Sequence, residues 1–141
     1  MYCLDANVWI YYFDDGLDEH GAVRSPVSDL LSDEPIFTTT VLQMEVVHYL
    51  TNQLADSETV VDRFLRLSNV TTADLTHSDV AASADLLETH TQAGIGGRDA
   101  TVLAAMERHD VSRLWTHDEG LKRLGERLDW LRVTDPVEDI P

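Results

Sequence analysis

Apolar residues along this chain come in short runs that alternate with segments of helical periodicity. Tyr2-Cys3-Leu4 reads as a short buried strand closed by Asp5, and the periodic segment Val8 to Phe13 follows, with Asn7 as a candidate helix cap. Asp18 to Leu31 has helical spacing that Pro26 should break, and Glu34-Pro35 leads into a second strand, Ile36-Phe37-Thr38. Helices are expected over Thr40 to Leu54, Ser57 to Leu67 and Ser78 to His90, with a third strand at Asn69 to Ala73. Gly94, Gly96 and Gly97 mark a loop before a helix over Arg98 to His109. The pattern closes with a strand at Arg113 to Thr116, a short helix from Asp118 to Leu128 and a strand at Trp130 to Val133. Such alternation predicts an α/β fold with a parallel central sheet flanked by helices, whose ligands sit beyond the C-terminal strand ends.

Composition sharpens this picture. The 141 residues, with no repeat or Gly/Ser linker, fit a single domain over 1–141. With 43% hydrophobic residues, disordered and collagen-like classes are excluded. The single Cys, Cys3, precludes an intramolecular disulfide and fits a reducing compartment. No apolar run approaches the ~18–20 residues of a membrane span, and no basic leader with a cleavage site opens the chain, so a soluble cytoplasmic protein without a membrane partner is expected.

Ten Lys+Arg against 26 Asp+Glu give a net charge of −16. Lys122 is the only lysine, and the carboxylates are dispersed rather than gathered in a tail. That distribution fits adaptation to multimolar salt, where a Debye length of about 3 Å suppresses self-repulsion. The alternative is an acidic protein that binds a cation or a basic partner.

Four carboxylates stand where an apolar fold would not choose them. Asp5 closes the first strand at its C-terminal end, and Asp118 follows the strand at Arg113 to Thr116; either could simply cap a helix. Glu45 falls at the edge of the stripe Leu42, Val46, Tyr49 and Leu50, where a solvated acid is the plain alternative. Asp99 shares the face of Val102, Leu103 and Met106, so its charge points inward and needs a cation, hydrogen bonds or a proton. If the four converge at one sheet edge, their repulsion must be relieved by raised pKa values or bound cations. Oxygen-only ligands select hard ions such as Mg²⁺ or Mn²⁺, the ions of phosphodiester hydrolysis. Asn7 and Thr116 are neutral hydrogen bonders suited to orienting a ligand carboxylate, and Arg98, at a helix N-terminus, is suited to a substrate phosphate.

Other chemistries find little support. The six His residues show no zinc-ligand spacing, and His48 and His117 are expected at the surface or beside the ligands rather than on the metal. Neither a serine-nucleophile elbow nor a phosphate-binding glycine loop is present. An aspartyl-phosphate phosphatase needs a second Asp two residues after Asp5, where Asn7 stands.

The motifs Leu4-Asp5-Ala6-Asn7, Gln43-Met44-Glu45-Val46, Arg98-Asp99-Ala100 leading to Leu103-Ala104-Ala105, and Trp115-Thr116-His117-Asp118 resemble, in order and spacing, those of a PIN domain of the VapC type, the toxin ribonuclease of a toxin–antitoxin pair. The likeness runs nearly the whole length. It implies a three-layer PIN-like fold and a metal-dependent endoribonuclease whose Asp5, Glu45, Asp99 and Asp118 bind Mg²⁺ or Mn²⁺, with Asn7 and Thr116 supporting them. It further implies an RNA substrate, a cognate antitoxin protein and a homodimer. Two features depart from the pattern: Leu121 stands where an aromatic often follows the last motif, and the charge of −16 is unlike an RNA binder's. A non-catalytic scaffold of the same fold that binds a protein partner is the competing reading.

Overall fold

The computed structural model describes residues 1–139. Its elements are β1 (Tyr2–Leu4), α1 (Ala6–Phe13), α2 (His20–Asp33), β2 (Ile36–Thr39), α3 (Thr40–Gln53), α4 (Ser57–Leu65), β3 (Val70–Ala73), α5 (His77–Thr89), α6 (Gly97–Arg108), β4 (Arg113–Trp115), α7 (Glu119–Arg127) and β5 (Arg132–Thr134). The strands form a five-stranded sheet in the order β3-β2-β1-β4-β5, and every pairing is parallel. In register, Cys3 lies between Phe37 and Leu114, so β1 occupies the centre. Strands so placed are buried on both faces, which is why Cys3, Leu4, Ile36 and Phe37 are continuous apolar runs with no exposure.

Trp9 on α1 packs edge-on against Phe64 of α4 and is stacked with Phe13, joining helices to the core that Leu42, Leu50, Leu103 and Met106 fill. Parallel connection carries every strand's C-terminal end to the same edge of the sheet. That edge receives Asp5 after β1, Thr39 as the last residue of β2 and Thr116 after β4.

Two local expectations are corrected. Asn7 is not the cap of α1: Asp5 is, its carboxylate accepting from the Ala6 amide at 2.8 Å, and Asn7 lies inside the first turn. Pro26 does not break its segment, since α2 runs unbroken from His20 to Asp33 through it. The ring forfeits one main-chain hydrogen bond, but the buried stripe Val23, Val27 and Leu30 holds both halves against the core. The glycine-marked loop also ends earlier than its composition suggests, with Gly96 as cap and Gly97 as the first residue of α6.

Candidate metal centre

Asp5 is fixed from two sides. One oxygen caps α1, and the other accepts from the Thr116 hydroxyl at 2.6 Å. Thr116 is fully buried, and its oxygen in turn accepts from the Asp118 amide at 3.0 Å. Asp118 caps α7 by accepting from the Leu121 amide at 2.9 Å. Capping and clustering are therefore the same fact: the two acids are oriented by the helices they start, and Thr116 ties them together. Asn7 adds a longer link, its Oδ1 accepting from the His117 amide at 3.4 Å.

Asp99 sits in the first turn of α6, and Glu45 lies on α3 with its side chain 23% exposed. The loop carrying Asp99's helix is fastened to α7 by Arg123, whose Nε and Nη2 donate to the Ala93 carbonyl at 3.1 and 2.8 Å. Gly120 permits this approach, because a Cβ there would stand 2.9 Å from the carbonyl oxygens of both Ala93 and Gly94. Arg98 is exposed and makes only a loose pair with Glu45, at 3.7 Å.

These carboxylates influence one another electrostatically. Burial pushes the Asp99 carboxyl up to about 7, with the charges of Asp5, Asp118 and Glu45 raising it further and a backbone hydrogen bond at Gly96 only partly offsetting them. Asp5 is likewise raised by burial, against the hydrogen bonds from Thr116 and Ala6, with a further push from Asp118. Glu45 is raised by burial and by Asp5, while Arg98 draws it down. Asp99, Asp5 and Glu45 are each raised in part by another member of the set of four acids. The four do not close into a tight cage: among the described residues, the group whose ligand atoms all lie within 4.8 Å of one another is His117, Asp135 and Glu138.

That second group is not one the sequence pattern points to. Asp135 is fully buried, accepts from His117 Nδ1 at 2.8 Å and from Lys122 Nζ at 2.8 Å, and receives the Val137 amide at 3.0 Å. Burial alone would raise its pKa, yet the hydrogen bonds from Lys122 and His117 hold it below the usual carboxylate range. Lys122 also reaches Glu138 at 3.2 Å, so an ammonium already serves the charge that a metal would neutralise there. The group acts as a clasp on the loop carrying Thr116 and Asp118. Asp135 directly follows β5, so the rule that drew attention to Asp5 also points to it. His117 is half-buried in this clasp, and His48 is exposed beside Asn52.

Beside the acids, a cavity of about 680 Å³ opens between α1 and α3 and touches them through Glu45 and Arg98. The PIN domain family model matches residues 2–127. The chain belongs to the PIN domain family. Among solved structures, this PIN domain is similar to the sarcin-ricin-loop-cleaving toxin VapC20 of Mycobacterium tuberculosis, with a TM-score of 0.74 and 16% identity over 89% of this chain and 95% of that one. It is also similar to FitAcB from Neisseria gonorrhoeae, with a TM-score of 0.70 and 18% identity over 99% and 100%. The promoter-DNA-bound VapBC2 of Rickettsia felis follows with a TM-score of 0.68 and 18% identity over 94% and 96%. At these identities the likeness is one of fold. A sequence search of curated proteins gives no match. No helix among the described residues is long and apolar enough to cross a membrane.

Proposed function

We propose that residues 1–141 work as one PIN domain, a divalent-metal-dependent endoribonuclease that serves as the toxin of a toxin–antitoxin pair in the cytoplasm. The observation that carries this reading is the raised pKa of Asp99 under the joint field of Asp5, Glu45 and Asp118. An inward acid so destabilised is what a cation site looks like before charge balance. The donor set fits Mg²⁺ or Mn²⁺, being oxygen only and loose enough to leave room for the waters these ions retain. When bound, the ion supplies a water nucleophile at neutral pH and counters charge building on the phosphate.

The chain's own residues divide the remaining work. Asp5 and Asp118, locked by Thr116 and by their helices, are the fixed ligands, whereas Glu45 and Asp99 come from other elements and close the set. Asn7 steadies the loop at His117. Arg98, held only loosely by Glu45, is free to take a phosphate oxygen, and it stands in the first turn of α6, where the helix dipole favours an anion. Hydrolysis then adds water across one P–O ester bond, and the leaving sugar oxygen takes a proton.

VapC20 is described as a toxin that cleaves the sarcin-ricin loop, and a similar structure from Klebsiella pneumoniae is a toxin–antitoxin complex; these support an RNA substrate and a cognate antitoxin for this chain. A homodimer is favoured at the face where Met44, Leu75 and Val80 are exposed and where a cavity of about 490 Å³ between α3, α5 and α6 has no carboxylate in its lining. Apart from Ser83, Arg98 and Thr101, the lining of that cavity is apolar, so a second copy can cover it without burying a carboxylate in the cavity. In sedimentation, Val80→Asp is expected to turn a dimer into a monomer; a dimer that survives it contradicts this face.

The direct test is cleavage of a panel of structured RNAs in concentrated KCl with Mn²⁺. The unsubstituted chain should cut, and Asp99→Asn should reduce cutting by at least ~10²-fold. No cutting by either leaves the scaffold reading in its place, and equal cutting by both removes Asp99 from the cleavage site.

A further inference from the structure

A second pocket, of about 460 Å³ and sharing no lining residue with the Glu45 cavity, lies between the C-terminal turn of α1, α2 and α4. Its polar lining is Tyr12, His20, Arg24, Ser25, Ser28 and Arg63, and no carboxylate contributes. In a chain with 26 Asp+Glu and only ten Lys+Arg, a pocket lining with two arginines and no acid departs from the composition of the rest of the chain. Among the described residues, neither Arg24 nor Arg63 has a carboxylate within 4 Å, whereas Asp62, next to Arg63 in sequence, is taken by Arg66 at 2.8 Å. The Arg63 guanidinium lies over the Phe13 ring, 5.9 Å from its centroid, which seats the charge at the pocket wall. His20 donates from Nδ1 to the Tyr11 carbonyl at 2.7 Å, so its ring is also held in place.

From this lining we infer that the pocket is a second phosphate subsite, which grips the backbone of a single-stranded RNA a few nucleotides from the bond being cut. Arginines from two helices line the pocket together with the hydroxyl residues Tyr12, Ser25 and Ser28. That suits a tetrahedral oxyanion, which accepts from several directions, better than a planar carboxylate, which one fork satisfies. Position agrees: α1 starts at Asp5 and reaches this pocket at Phe13, about 12 Å further along at ~1.5 Å per residue. A chain engaged at both ends of α1 is held by Arg98 near the acids and by Arg24 and Arg63 away from them. Length selectivity follows, with longer RNA favoured over fragments too short to span both. The inference rests on the ribonuclease reading for its ligand.

The experiment measures affinity without turnover, by fluorescence anisotropy of a labelled 12-nucleotide single-stranded RNA on full-length Asp99→Asn protein with Mn²⁺, with and without Arg24→Gln and Arg63→Gln together. Both arginines are exposed, so the fold is expected to survive, and thermal melting checks that it does. The added pair of substitutions should weaken binding about tenfold and flatten the dependence of log affinity on log salt by about 0.7 for each phosphate no longer gripped. Unchanged affinity and slope would overturn the subsite. So would unchanged RNA binding with lost binding of a polyglutamate peptide, which would give the pocket to an acidic protein segment. Absence of RNA cleavage by the unsubstituted chain would count against the nuclease reading alone, since affinity is read separately.

Discussion

Asp99 concentrates the site's chemistry in one side chain. Its folded pKa, about 7, lies above the ordinary carboxylate value near 3.8. A raised acid favours the fold while it is protonated, so its contribution is full below about pH 4 and is lost as pH rises to 7. Metal-free protein should therefore gain stability as pH falls from 7.5 towards 5.5. Asp99→Asn should raise stability at pH 7.5 by about 1–2 kcal/mol, the full shift being discounted for the solvent that still reaches the carboxyl. Thermal melts in EDTA across this range check both statements: a flat difference between the two proteins would show that Asp99 is not held against its charge. Asp99 is legible from the sequence because helical periodicity alone puts a charge on a face with Val102, Leu103 and Met106. Asp135 follows its strand as Asp5 does, but its role is not legible, because its partners His117 and Lys122 are 18 and 13 residues away. Only the fold brings such partners together.

At the level of elements, the order of strands and helices can be read from alternating periods, and the pattern misleads where tertiary contacts outweigh local preference. Pro26 is a helix breaker in isolation, yet the packing of Val23, Val27 and Leu30 carries α2 through it. Asn7 and Asp5 are both good caps, and the choice falls to Asp5 because the helix starts directly after β1. Gly120 has no visible role in the sequence, since the carbonyls it accommodates, at Ala93 and Gly94, belong to a loop more than twenty residues earlier. Gly120→Ala should push α7 away from that loop, costing about 1–3 kcal/mol and separating Asp118 from Asp99. Urea denaturation together with Mn²⁺ affinity would test this. A stable variant with unaltered affinity would mean that the Arg123 clasp alone sets the spacing.

Across the whole molecule, the proposed ribonuclease activity has to coexist with a strong net negative charge of −16. Although the acids are spread over the chain, Asp5 and Asp118 lie at the C-terminal edge of the sheet, and the linings of the cavity between α3, α5 and α6 and of the pocket with Arg24 and Arg63 contain no carboxylate. Only a cation at the acidic edge makes that edge compatible with a phosphodiester. The central claim is therefore that Asp5, Glu45, Asp99 and Asp118 serve one ion. Calorimetry of Mn²⁺ binding in about 2–3 M KCl, where the Debye length falls to about 3 Å or less, tests it most directly on the unsubstituted chain, Asp99→Asn and Glu45→Gln. The account predicts binding by the first and a loss of at least about tenfold in affinity in each variant, although the two acids lie on different helices. Equal affinity in all three would contradict it and return these carboxylates to the roles of caps and surface charges.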